Sequence, residues 1–422
     1  MESFSVCDTF ATALTTMEFT TYTLPNGIRA VHLPVKGSVA HLGIIINAGS
    51  KNEKTEEHGI AHLTEHMLFK GTKNRKSYHI LSRIDDVGGE LNAYTTKEET
   101  AIHASVLTEH YERALELIKD IVFNSVFPPK EIEKEKEVIL EEINAYRDNP
   151  SELIFDEFEE IVFKNQPIGR NILGTPDTVK SFTRENILSF VGRNYSTSGM
   201  VISSVANIDS KKVISLINKY FRSIPEHAGE GPPAIQPEYQ PTHTVRELDT
   251  WQNHCIIGNI SYNLHDRKRT GMVILNNILG GQGLNSRLNI SLREKNGLAY
   301  NIESVYNPYN ETGLFSIYFG TDPGHIEKSM TIAYREMKRL RTQRLGTLQL
   351  TRAKNQIKGY VARGFESYES LMLSMGKNIL VFNRIDTPED IYKKIDAVTA
   401  GELMEIANEV LDEQKLSVLI YK

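Results

Sequence analysis

Between Ile60 and Lys70 apolar residues recur at helical spacing, and neither Pro nor Gly interrupts them. The pattern predicts one amphipathic helix with Ile60, Leu63 and Met67 on its apolar side. Residues four apart stack on one face of a helix. His62 and His66 therefore point the same way, and Glu65 lies beside them. Upstream, Phe19 to Val35 alternates around Pro25, Asn26 and Gly27, which predicts a hairpin. Val39 to Ala48 reads as a second apolar strand. Tyr78 to Val87 predicts a helix closed by Gly88 and Gly89. Glu90 to Leu107 alternates in strand fashion, with His103 a packed strand residue rather than a ligand. Tyr111, Ala114, Leu115, Ile118 and Val122 then fall at helical spacing. Pro128 and Pro129 open a long charged helix that runs to about Arg147, where Asn149 and Pro150 break it.

Between Ser223 and Thr242 the composition changes. Pro225, Pro232, Pro233, Pro237 and Pro241 fall here with Gly229 and Gly231, which reads as a semi-rigid linker. It predicts a first domain over 1–224, a linker over 225–242 and a second domain over 243–422. The two parts share a pattern. Strand Thr100–Leu107 leads through a short polar turn into the helix from Tyr111. Strand Leu314–Phe319 leads in the same way into a helix from Ile326. Two related domains follow, and only the first carries the histidine pair.

Length and composition narrow the choices. A chain of 422 residues has room for two or more domains at ~100–200 residues each. Hydrophobic and charged contents of 40% and 24% are those of a globular protein. A net charge of −6 without a long basic run gives no case for nucleic acid. Cys7 and Cys255, the only two cysteines, read as free thiols in a reducing compartment. No stretch of ~18 apolar residues predicts a membrane span. The start lacks a basic segment followed by an apolar one, so the cytoplasm is the expected location. Gly280, Gly281 and Gly283 precede no Lys-Ser/Thr pair, which argues against a phosphate loop.

Two neutral imidazoles one helical turn apart can hold one Zn²⁺. A neighbouring carboxylate can take a proton from a water that the metal has acidified to a pKa of roughly 7. The order His-x-x-Glu-His reverses the commoner zinc motif. A solvated helix face that happens to carry these residues is the bland alternative. A catalytic zinc usually takes three protein ligands, and the charged helix offers many glutamates. Ile132, Val138, Ile139 and Ile143 are expected to form its buried stripe. At about 100° per residue, Glu142 lies about 60° from Ile139, whereas Glu141 faces away. Glu142 is thus the better third ligand, Glu135 a candidate supporting partner, and Glu131 a weaker alternative. On spacing alone, Arg293 and Tyr300 would be a surface charge and a core aromatic.

These residues resemble the M16 metallopeptidases, the group of pitrilysin, insulin-degrading enzyme and the mitochondrial processing peptidase. The run His58–Thr72 is similar to the processing-peptidase β-subunit signature. Glu135–Glu142 resembles the family segment whose last Glu is the third zinc ligand and whose first supports catalysis. Gly88–Thr100 resembles the family's substrate-binding edge strand, and Leu292–Tyr300 its Arg/Tyr motif. The resemblance implies an α+β fold of two homologous domains, each a mostly antiparallel sheet flanked by helices. It implies Zn²⁺, one per chain, on His62, His66 and Glu142, with Glu65 as base and Glu135 in support. It implies peptide substrates held along Asn92 and Ala93 and gripped by Arg293 and Tyr300. It further implies a homodimer around a chamber, with each site completed in trans. A scaffold that has lost the chemistry, and an enzyme that only removes presequences, are the alternatives.

Overall fold

The computed structural model describes residues 17–231, 238–248 and 250–422. Cys7 and part of the Pro-rich stretch, with Pro232, Pro233 and Pro237, lie outside the described residues. The fold is α+β, with two sheets and many helices.

The first sheet has six strands: β1 (Thr20–Thr23), β2 (Arg29–Pro34), β3 (Val39–Ile46), β4 (Glu90–Thr95), β5 (Thr100–Leu107) and β6 (Met200–Ala206). Their spatial order is β1-β2-β6-β3-β5-β4. β1 and β2 form the expected hairpin, in register Thr20↔His32. Gly27 turns it at φ +90°, a conformation that favours glycine. The alternating stretch from Glu90 to Leu107 forms two strands. β4 and β5 pair antiparallel from Glu90↔Ser105 to Thr95↔Thr100. Their turn contains neither Gly nor Pro. Thr96 makes it instead, its hydroxyl oxygen accepting the backbone N–H groups of Glu98 and Glu99 at 3.2 and 3.1 Å.

The second sheet has five strands: β7 (His243–Arg246), β8 (Asn253–Ser261), β9 (Ala299–Pro308), β10 (Gly313–Thr321) and β11 (Ser417–Tyr421). Its order is β7-β11-β8-β10-β9. One pair in it, β7 with β11, is parallel, and the other pairs are antiparallel. The first sheet likewise has one parallel pair, β2 with β6. Matched from those pairs outward, the two sheets have the same topology, and β1 is an addition to the first. The repeat seen as a sequence pattern is thus a repeat of strand order and direction.

The chain divides into two compact units, but not at a single cut in the Pro-rich stretch. The first comprises Met1–Glu141, Ile172–Pro233 and Ala362–Ile391, so far as these are described. The second comprises Glu142–Asn171, Ala234–Val361 and Tyr392–Lys422, with the same restriction. Each unit therefore takes one segment from the other half of the sequence. Helix Tyr368–Phe382 buries Leu371, Met372, Met375 and Ile379 with Val31, Leu33, Val201 and Val205 of the first sheet. Helix Pro150–Val162 buries Ile154, Phe158 and Val162 with Ile256, Leu419 and Tyr421 of the second. Apolar burial at about 25 cal/mol per Å² drives both. The pattern of each helix shows that it has an apolar face, not which sheet receives it.

The boundary between Glu141 and Glu142 falls inside one unbroken helix, Pro129–Arg147. Glu142 is therefore placed by the same helix that carries Glu135 and Ile139. Ile132, Ile139 and Ile143 of this helix are buried. Val138 departs from the expected stripe and is 45% exposed. It lies about 100° from Ile139, which takes it off the buried face. No helix among the described residues is long and apolar enough to cross a membrane.

Candidate metal centre

The motif helix spans Ile60–Leu68. Ile60, Leu63 and Met67 are fully buried, so the opposite face carries His62, Glu65 and His66. Its start is fixed by close packing. Gly59 has φ +98°, and a Cβ there would stand 2.6 Å from the Leu173 carbonyl oxygen. No other residue fits that contact. The buried Glu53 carboxylate accepts the N–H groups of Gly59 and Ala61 at 3.0 and 2.8 Å. It satisfies free amides of the first turn and opposes the positive end of the helix dipole. Beyond the other end, the segment Thr72–Arg75 is tied down. Thr72, Asn74 and Arg75 all donate to buried Asp120.

Helix Pro129–Arg147 brings its glutamates to this face. One ligand atom each from His62, His66 and Glu142 lies within 4.8 Å of the others. No further group of three or more metal-ligating side chains occurs among the described residues. The donor set fits zinc, since two imidazoles and a carboxylate are the composition of a catalytic zinc site. The imidazole rings of His62 and His66 have centroids 4.5 Å apart. Burial, reinforced by His66, pushes the His62 pKa down to about 4. His62 is therefore neutral at pH 7, the form in which it can bind metal. Glu141 is exposed and Glu142 half-buried, as the helical angles predict.

Glu135 stands behind His66. Its Oε2 is 3.1 Å from His66 Nδ1, and its Oε1 is 2.6 Å from Lys70 Nζ. Such a contact fixes the tautomer of a ligating histidine and leaves Nε2 for metal. The sequence suggested Glu135 but not Lys70. The available signal was position: Lys70 comes four residues after His66, at the end of the run from Ile60 to Lys70 that the sequence reads as one helix. Glu131 pairs instead with Lys134 at 2.7 Å. Glu65 Oε2 accepts the Thr95 hydroxyl at 2.6 Å. Thr95 was not singled out in the sequence either, because this contact joins the end of β4 to the motif helix.

Asn92 and Ala93 lie on β4, opposite His103 and Ile102 of β5. β4 is the last strand of the first sheet. Arg293 and Tyr300 belong to the second unit. Arg293 sits on a π-helical turn, Asn289–Glu294, a geometry frequent at functional sites. Gly297, at φ +59°, reverses the chain after it, and the N–H of Leu298 donates to the Leu292 carbonyl at 2.9 Å. β9 therefore starts beside that turn. Arg293 and Tyr300 both line a cavity of about 810 Å³ with Gly280, Gly281 and Gly283. Tyr300 is 79% exposed, so it is no core aromatic. Cys255 is a buried free thiol, and burial pushes its pKa up.

Comparison with known proteins agrees with this architecture. Residues 32–176 match the model of Insulinase (Peptidase family M16), and residues 181–357 match that of the Peptidase M16 inactive domain. An uncharacterized zinc protease of Rickettsia bellii is 35% identical over 94% of this chain and 96% of its own. The uncharacterized zinc protease YmxG of Bacillus subtilis is 33% identical over 94% and 97%. Among solved structures, a protease from Helicobacter pylori superposes with a TM-score of 0.90 at 22% identity, covering 96% of this chain and 100% of that one. A peptidase M16 inactive domain from Pseudomonas fluorescens gives 0.89 at 20% identity, covering 96% and 98%.

Proposed function

The chain belongs to peptidase family M16, and from that premise we propose that it is a zinc-dependent endopeptidase acting on peptides or unfolded segments. The observation that carries the proposal is the convergence of His62, His66 and Glu142, whose ligand atoms lie within 4.8 Å of one another. These three side chains would hold one zinc ion per chain. When bound, zinc supplies Lewis-acid polarisation of a water and of the scissile carbonyl. Glu65 takes a proton from the attacking water on its carboxylate and later delivers it to the leaving amine. Glu135 keeps His66 in the tautomer that binds metal. Asn92 and Ala93 offer the backbone of an edge strand, on which a peptide can lie as an added strand with little demand on its sequence.

Arg293 and Tyr300 would grip the substrate, the Tyr300 phenol donating to the developing oxyanion. We assign them to the site of a facing subunit, in a homodimer that encloses a chamber. Support comes from their place in the second of two repeated units. Refolding a mixture of Glu65→Gln and Tyr300→Phe chains tests this. Each variant alone is expected to be nearly inactive. A mixed dimer would hold one site in which intact Glu65 meets intact Tyr300, so activity should partly return. Absence of rescue, with mixed dimers shown by mass, would exclude sharing in trans. So would a fully active monomer. Zinc content and cleavage of a peptide library by the wild-type protein test the activity itself. A metal-free, inactive protein would favour the scaffold alternative.

A further inference from the structure

Thr95 connects two parts of the proposed machinery, and its backbone is held on both sides of the contact. It ends β4, the strand that carries Asn92 and Ala93, and pairs with Thr100 of β5. Thr100 is fully buried, and its hydroxyl donates to the Ala48 carbonyl at 2.7 Å. The next residue, Thr96, closes the β4–β5 turn, with its N–H donating to the Glu99 carbonyl at 2.8 Å. The N–H groups of Ser50 and Lys51 donate to the carbonyls of Thr96 and Lys97 at 3.0 and 2.9 Å. The Thr95 hydroxyl therefore projects from a braced point of the backbone. It donates to Glu65 Oε2 at 2.6 Å.

A glutamate carboxylate turns easily about its last torsion, which has a broad, two-fold profile. A carboxylate without a bond that fixes this torsion presents either oxygen at a range of angles. A bond to one oxygen fixes the direction of the other. We propose that Thr95 is a positioning residue for the peptidase reaction: its hydroxyl holds Glu65 Oε2 so that Oε1 faces the attacking water. The same strand would then set both the peptide and the base. This rests on Glu65 being the base, and the orientation of a base within about a Å strongly affects rate.

The test compares Thr95→Val, Thr95→Ala and Thr95→Ser with wild type and with Glu65→Gln in zinc content, thermal unfolding, kcat and KM. Thr95→Val keeps the shape and removes the hydroxyl. Misplacing a catalytic group by about 1 Å can cost about 100-fold in rate, so kcat should fall about ten- to hundredfold. KM, zinc content and the unfolding temperature should stay near wild type. Thr95→Ser should recover most of the rate. Unchanged kcat in Thr95→Val, alongside a large loss in Glu65→Gln, overturns the role of Thr95 and leaves the base intact. Activity retained in Glu65→Gln overturns the base reading itself. Loss of zinc or of the wild-type unfolding transition in both Thr95→Val and Thr95→Ala shows that the hydroxyl holds the fold, and also overturns the proposal. So does failure of Thr95→Ser to restore the rate.

Discussion

Glu65→Gln is expected to leave zinc content at the wild-type level and to lower cleavage at least ~100-fold, the usual scale for losing a general base. The substitution changes one atom of similar size. Its amide oxygen can still accept the Thr95 hydroxyl, now 2.6 Å from Oε2, so the side chain should stay in place. What it loses is the capacity to take a proton. The group proposed to hold zinc, His62, His66 and Glu142, is untouched, so metal binding and catalysis should separate. Metal analysis and a peptide-cleavage assay on the same preparation check both halves. Full activity in the variant would remove Glu65 from its assigned role.

The second large effect concerns two adjacent glutamates. Glu142→Gln should weaken zinc binding by more than ~100-fold, beyond the 10–100-fold of a change behind the ligands. Glu141→Gln should leave it unchanged. Both substitutions remove one negative charge from the same helix, so general electrostatics cannot separate them. Direction does: Glu142 joins the two histidines, whereas Glu141 is exposed. Competition against a coloured zinc chelator measures the affinities. Thermal unfolding gives a second readout, because zinc at about 100 times its Kd stabilises a fold by ~2.7 kcal/mol. Chelator should lower the transition of wild type and Glu141→Gln, and hardly move that of Glu142→Gln.

Local rules made much of this site legible. The four-residue spacing of His62 and His66 needs only helix geometry, as does the separation of Glu142 from Glu141. Val138, expected in the buried stripe, points about 100° from Ile139 and is exposed. The β4–β5 turn carries no Gly or Pro signal, because Thr96 forms it through its side chain, and threonine also suits a strand. The partners of the motif residues were less legible. Lys70 against Glu135 and Thr95 against Glu65 join separate elements, and no local pattern states which elements meet. The exchange of helices Pro150–Val162 and Tyr368–Phe382 was beyond reach for the same reason. Arg293 and Tyr300 stood out only through family resemblance. Their proximity depends on the turn at Gly297 and the π-helical segment before it.

The most direct test of the account is the metal dependence of peptide cleavage by the purified wild-type protein. The account predicts one zinc per chain, loss of cleavage when a chelator removes it, and recovery when one equivalent is returned. Cleavage that continues at full rate in metal-free protein would contradict it.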